Sequence, residues 1–236
     1  MIATVINALA VVVAGIIGSL FGKSIGEKYT KAVMTVMALI TAIIGIQGAV
    51  GTSNVLIIVI CAVLGTLLGT ALKLDDGINA SGDKVKSLLS KTKLGQGSFG
   101  DAFVTTTILF CVGTMAILGS IQAGLNQDYS ILLTKSIMDF VSALAFSAAL
   151  GPGVIFSAIP VFVFQGLITL LAGVAAPYLT EQVITEMSAV GGPIFIAMSI
   201  NLLNIRQERI KVGDMIPAIF LPILYFPLAE LVGRLF

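Results

Sequence analysis

The chain contains no histidine and no tryptophan, and only 11% of its 236 residues are charged. Each scarcity excludes a class of function. Without histidine there is no Ser–His nucleophile pair and no histidine-ligated zinc. A net charge of +1, with no basic patch interleaved with aromatics, gives no electrostatic footprint for nucleic acid. The two cysteines, Cys61 and Cys111, both fall inside apolar runs and read as packing residues rather than a disulfide. The start, Met1-Ile2-Ala3-Thr4, has no basic n-region, so the first apolar segment is expected to stay in the membrane rather than be cleaved. The run Gly95-Gln96-Gly97-Ser98-Phe99-Gly100 is glycine-rich, but no strand precedes it and no Lys-Ser or Lys-Thr follows, so it is not a phosphate loop.

What the chain has in abundance is apolar sequence. Hydrophobic residues make up 57% of it. Mean hydropathy is +1.08, and soluble domains carry about 25% charged residues. Eight apolar segments stand out, at 2–22, 32–50, 53–72, 102–122, 130–150, 154–176, 189–205 and 214–233. A bilayer core of about 30 Å needs roughly 20 such residues. The segments show no period-2 alternation, so helices are the only way to pair their backbone groups in lipid. The expected fold is all-α: a polytopic transmembrane helical bundle of about eight spans, forming a single domain over 1–236.

Charge placement gives the expected orientation. Eleven of the thirteen Lys and Arg residues lie in three connections: Lys23, Lys28 and Lys31; Lys73, Lys84, Lys86, Lys91 and Lys93; and Arg206, Arg209 and Lys211. With eight spans all three face one side. The opposite connections carry Asp128, Glu181 and Glu186 and no basic residue. Loop Lys and Arg favour the cytoplasm, which places the chain in a bacterial cytoplasmic (inner) membrane with both termini outside. Within 73–100, Val85, Leu88, Leu89 and Thr92 recur at helical spacing among lysines, predicting a short basic helix lying on the leaflet.

Small residues and weak repeats come next. Gly15, Gly18 and Gly22, and then Gly65 and Gly69, are spaced for close helix approach, and packing within one chain is the favoured use. Spans 2, 4 and 7 carry Ile46-Gln47, Ile121-Gln122 and Ile200-Asn201 near their ends. Spans 2 and 7 would cross in opposite directions, as inverted-topology repeats do. The candidate repeats are 1–72 and 154–236, joined by 73–153. Helix breaks are expected at Gly151-Pro152-Gly153, at Pro160, at Gly192-Pro193 opening span 7, and at Pro217, with Pro222 and Pro227 further along span 8.

Several of these strings, namely Thr134-Lys135-Ser136-Ile137-Met138-Asp139, the run from Gly151 to Pro160, Gln165-Gly166 and Gly191-Gly192-Pro193, resemble the bacterial YqgA/YdfK-type family, called domain of unknown function 554. The resemblance covers nearly the whole chain. It implies a membrane protein with a transport role and carries no assigned functional residues.

The residues themselves point to a polar site in the membrane. Only Asp139 lies deep in a span, so one chain cannot build an aspartyl dyad. No catalytic residue, cofactor or metal site is expected, and the chain is read as not an enzyme. Lys135 and Asp139 share a helix face at i and i+4, with Asp139 about 14 Å from the outer end of span 5 at 1.5 Å per residue. Intramembrane ionisable groups are costly and face a cavity or a partner. The expected pathway residues are Asp139, Lys135, Gln165 and Asn201, with Asn7, Gln47 and Gln122. These predict a secondary transporter or channel for a small solute or ion, assembled as a homo-oligomer in the lipid bilayer. The alternative is a non-transporting membrane scaffold or regulatory protein.

Overall fold

Helices account for every one of the eight apolar segments. A computed structural model describes residues 1–22, 27–78, 80 and 99–233. The basic helix expected around 85–92, the glycine-rich run up to Ser98, and Lys23, Lys84, Lys86, Lys91 and Lys93 lie outside the described residues. The helices are α1 (Ile2–Gly22), α2 (Glu27–Val50), α3 (Val55–Ala71), α4 (Phe99–Cys111), α5 (Thr114–Leu125), α6 (Ser130–Leu150), α7 (Ala158–Leu170), α8 (Glu181–Leu203) and α9 (Ile216–Gly233). Short turns at Gly153–Phe156, Ala172–Ala175 and Val212–Met215 and a helical stretch at 74–78 add to these, with no strand among the described residues. The fold is therefore an all-helical, membrane-type bundle. Among the described residues five helices are long and apolar enough to cross a bilayer, and a sixth is added if the bent pair α4–α5 counts as one span. Val55–Ala71 and Val212–Leu228 are shorter but equally apolar.

Three boundaries differ from expectation. The segment 102–122 is not one helix: it breaks at Val112-Gly113, and α4 and α5 meet at 56°. Span 7 starts at Glu181, because Thr180 caps it by accepting from Val183 N at 3.3 Å. Gly192 and Pro193 accordingly sit in the middle of a continuous α8 instead of opening it. Pro160 and Pro217 lie in the first turns of α7 and α9, where a missing N–H removes little. The break before α7 comes instead at Ser157, whose hydroxyl donates to Val154 O at 2.7 Å. Gly151 ends α6 with φ 95°, a conformation that Cβ-bearing residues avoid; together with Pro152 and Gly153 it forms the expected tight connection.

Lipid tails are as apolar as leucine, so close backbone approach and polar bonds hold membrane helices together. The glycines supply that approach within the chain. Gly18 lies against Leu144 and Ser147, and Gly22 against Ala148, which sets α1 parallel to α6. Gly45 faces Gly192 and Gly48 faces Ser188, so α2 and α8 run antiparallel. Gly65 on Ala218 and Gly69 on Asp214 make α3 antiparallel to α9. Gly15 on Ile155, with Gly166 beside Thr4, makes α1 antiparallel to α7. The two largest of four apolar clusters among the described residues are one of Val11, Ala14, Phe110, Ala143, Phe146, Val154 and Val161, and one centred on α4, α5 and α8.

Candidate functional site

Three helices meet in a polar cluster where the bundle is otherwise apolar. Asn7 on α1, Lys135 and Asp139 on α6, and Gln165 on α7 are all buried. The parallel register of α1 and α6 brings Asn7 level with Asp139: Asn7 Nδ2 donates to Asp139 Oδ2 at 3.0 Å and to Gln165 Oε1 at 3.2 Å. Lys135 Nζ forms an ion pair with Asp139 one turn away on the same face. The ammonium also sits 5.8 Å from the centroid of Phe110, a favourable cation–π placement. Phe110 precedes the α4–α5 break by two residues, so the broken helix abuts the charged pair.

The cluster is under-satisfied. Six buried side-chain polar atoms among the described residues have no hydrogen-bond partner, and four of them are here: Thr4 Oγ1, Asn7 Oδ1, Gln165 Nε2 and Thr169 Oγ1. Ser19 and Thr107 elsewhere also lack a partner, but many other buried hydroxyls satisfy themselves on the carbonyl four residues before. Thr41, Thr106, Ser120, Ser136 and Ser147 all do so at 2.6–2.8 Å. Thr4 and Thr169 do not. An unpaired buried polar group costs roughly 1–3 kcal/mol, so the concentration of four in one place marks the region.

The remaining expected residues lie elsewhere. Asn201 is in the last turn of α8, clamping Ile210: its Nδ2 donates to Ile210 O and its Oδ1 accepts from Ile210 N, both at 2.9 Å. It borders a separate cavity of about 400 Å³ at the basic end of the bundle, with Thr105, Asp101, Arg206 and Arg209. There Arg209 pairs with Asp101, and burial pushes its guanidinium below the ordinary value against the pull of Asp75. Gln47 is exposed and lines a cavity of about 320 Å³ beside Val112, Gly113 and Thr114. Gln122 is half-buried near the end of α5, its carbonyl accepting from Asn126 N at 2.9 Å.

Glu186 also departs from expectation. It is fully buried inside α8 rather than in a loop. Its carboxylate accepts from Thr52 Oγ1 at 2.6 Å and from Ser53 N and Oγ, each at 2.7 Å. It ties the α2–α3 turn to α8.

A family model described as "Protein of unknown function (DUF554)" matches residues 2–226. The chain belongs to that family. This DUF554 chain is 31% identical over 218 residues to the uncharacterized protein YqgA of Escherichia coli (strain K12), covering 92% of each. It is 27% identical over 226 residues to the uncharacterized membrane protein YdfK of Bacillus subtilis (strain 168), covering 94% of each. No solved structure matches. Of the residues expected from the sequence, Asn7, Lys135, Asp139 and Gln165 meet in the cluster. Sequence reasoning missed Thr4 and Phe110. Thr4 had one usable signal: it stands three residues before Asn7, on the same helix face.

Proposed function

We propose that this chain is a multi-pass protein of the bacterial cytoplasmic membrane, a secondary transporter or channel for a small solute or ion working through the Asp139 cluster. The carrying observation is the buried Lys135–Asp139 pair, shared by three helices and surrounded by unpartnered polar atoms. A scaffold gains nothing from such a cluster, whereas a transport site needs polar groups that exchange partners. In this reading Asp139 takes a cation or proton, and Lys135 tunes it or takes its place during the cycle. No nucleotide motif is evident, so an ion gradient is the driving force.

The packing supports an inverted repeat of 1–72 and 154–236. The α2–α8 contact is reciprocal: Gly45 meets Phe195 and Ile196, while Gly192 meets Gly48 and Ala49. The α1–α7 and α3–α9 pairs are antiparallel as well. The α4–α5 break, halfway along its segment, fits the discontinuous helices of such transporters. The printed description of YdfK as a membrane protein supports the location. Eight alternating spans put Arg209, Lys211 and Lys73 at one end, with Asp128 and Glu181 at the other.

Two experiments test the reading. Single cysteines at Lys28 and Arg209 should label only from the cytoplasm, and those at Asp128 and Glu181 only from outside. The native Cys61 and Cys111 are buried and give little background. A split within either pair removes the eight-span arrangement. The purified chain on a solid-supported membrane should give a protein-dependent current for some member of a panel of organic acids, amino acids, sugars and inorganic ions. A silent panel, with topology intact, favours the scaffold.

A further inference from the structure

Three of the four atoms left without partners in the cluster are chemically alike, the fourth being the amide donor Gln165 Nε2. Around Asp139 stand Asn7 Oδ1, Thr4 Oγ1 and Thr169 Oγ1, all neutral oxygens, all buried. Thr4 is one turn from Asn7 along α1, and Thr169 is one turn from Gln165 along α7. Since α1 and α7 are antiparallel with Thr4 beside Gly166, both threonines lie on the same side of the Asn7–Gln165 bond. On the other side Val11, Ala14, Ala143, Phe146, Val154 and Val161 close the bundle with apolar side chains. The polar atoms therefore form a blind track that ends at Asp139.

Resting on the transport reading above, we infer that this track is a binding site for a desolvated alkali-metal cation, held by Asp139, Asn7 Oδ1 and the hydroxyls of Thr4 and Thr169. Hard oxygen donors select hard cations over soft metals. A single carboxylate compensates one positive charge, so a divalent ion would bury an unpaired charge. Lys135 already supplies that one charge, and the cation enters as its ammonium leaves. The ammonium has somewhere to go: the face of Phe110 is already within reach, and the long lysine stem lets it move towards the membrane surface. Asn7 Nδ2 keeps its two acceptors throughout, because the cation uses the other atom of that amide. Lys135 is in this account a tethered competitor of the ion.

The test uses the full chain in nanodiscs, with choline chloride holding ionic strength constant. Radiolabelled sodium should bind saturably to the wild type, displaced by unlabelled sodium and not by choline or magnesium. Lys135→Met, which removes the competitor, should bind about tenfold more tightly and gain thermal stability on sodium addition. Thr4→Val and Thr169→Val should each weaken binding by about fivefold or more, and Asp139→Asn should abolish it. Absence of saturable sodium, lithium or potassium binding to both wild type and Lys135→Met overturns the assignment, whatever the fate of the other variants. Binding that is unchanged by Lys135→Met overturns the displacement. If binding is absent but Asp139-dependent currents persist, the cation assignment falls and the transport reading stands. If both are absent, both fall.

Discussion

Two of the four carboxylates buried among the described residues, Glu186 and Asp139, differ sharply in their surroundings. Glu186 takes three short hydrogen bonds from one turn, with no cation among the described residues paired to it. Asp139 takes one amide bond and one ammonium, amid polar atoms that have no partner. The helices around them differ in the same sense. At the α2–α8 seam, Gly45, Gly48 and Gly192 press backbone against backbone. At the α1–α6–α7 junction Gly18 and Gly22 make a similar backbone approach at one end, but long polar side chains meet around Asp139. Burial of a charge does not by itself mark a site. A saturated carboxylate is a fastener, and an under-saturated one beside a movable counter-charge can change partners.

Breaking the seam should have the largest effect. A Cβ at Gly192 would stand 2.6 Å from Gly45 O and 2.8 Å from Ala49 Cβ. Gly192→Val should therefore abolish monodisperse protein on size exclusion, since backbone cannot move aside as a flexible side chain can. Next comes Lys135→Met in sodium-free buffer. It strands a buried carboxylate and should cost about 3–5 kcal/mol, read as a lowered thermal midpoint. Adding Asp139→Leu to it should restore the midpoint but not the current. If the double variant also restores transport, the pair is a fastener like Glu186 and the comparison collapses.

Glu186→Gln is the milder counterpart. The amide keeps an acceptor for Ser53, and Thr52 can turn to Asn54 O, which its hydroxyl already contacts at 3.0 Å. The loss should be about 1–2 kcal/mol, with currents unchanged. A smaller effect still is expected at the basic end. The hydrogen bond and charge of Lys211 hold Asp76 below the usual carboxylate value. A depressed carboxylate stabilises above its unfolded-state pKa, and that contribution is lost as pH falls through the folded value. The pair is exposed, so the increment is small. The stability gap between wild type and Asp76→Asn should be present at neutral pH and close in acid; a gap that widens in acid contradicts the pairing.

The sequence made some of this legible and hid the rest for physical reasons. Helix periodicity and length showed all eight apolar segments, because lipid admits few alternatives. Lys135 and Asp139 were visible as a pair since i,i+4 spacing is local. Asn7 and Gln165 were visible only as intramembrane polar residues; their meeting depends on the α1–α6 register, which Gly18 and Gly22 set against Leu144, Ser147 and Ala148. Asn201 was misplaced because its end of α8 lies at the basic end, where it clamps Ile210. Glu186 read as a loop charge because a carboxylate counts against a span, yet the Thr180 cap draws it into α8. The break at Val112-Gly113 was invisible in an unbroken apolar run. Thr4 carries no charge, and its one local signal is its place three residues before Asn7 on the same helix face.

The central claim is that Asp139 works and Glu186 fastens. Currents on solid-supported membranes, recorded side by side for wild type, Asp139→Asn and Glu186→Gln at matched amounts of folded protein, test it most directly. The account predicts wild-type currents from Glu186→Gln and none from Asp139→Asn. Currents that survive Asp139→Asn, or that vanish with Glu186→Gln while Asp139→Asn retains them, would contradict it.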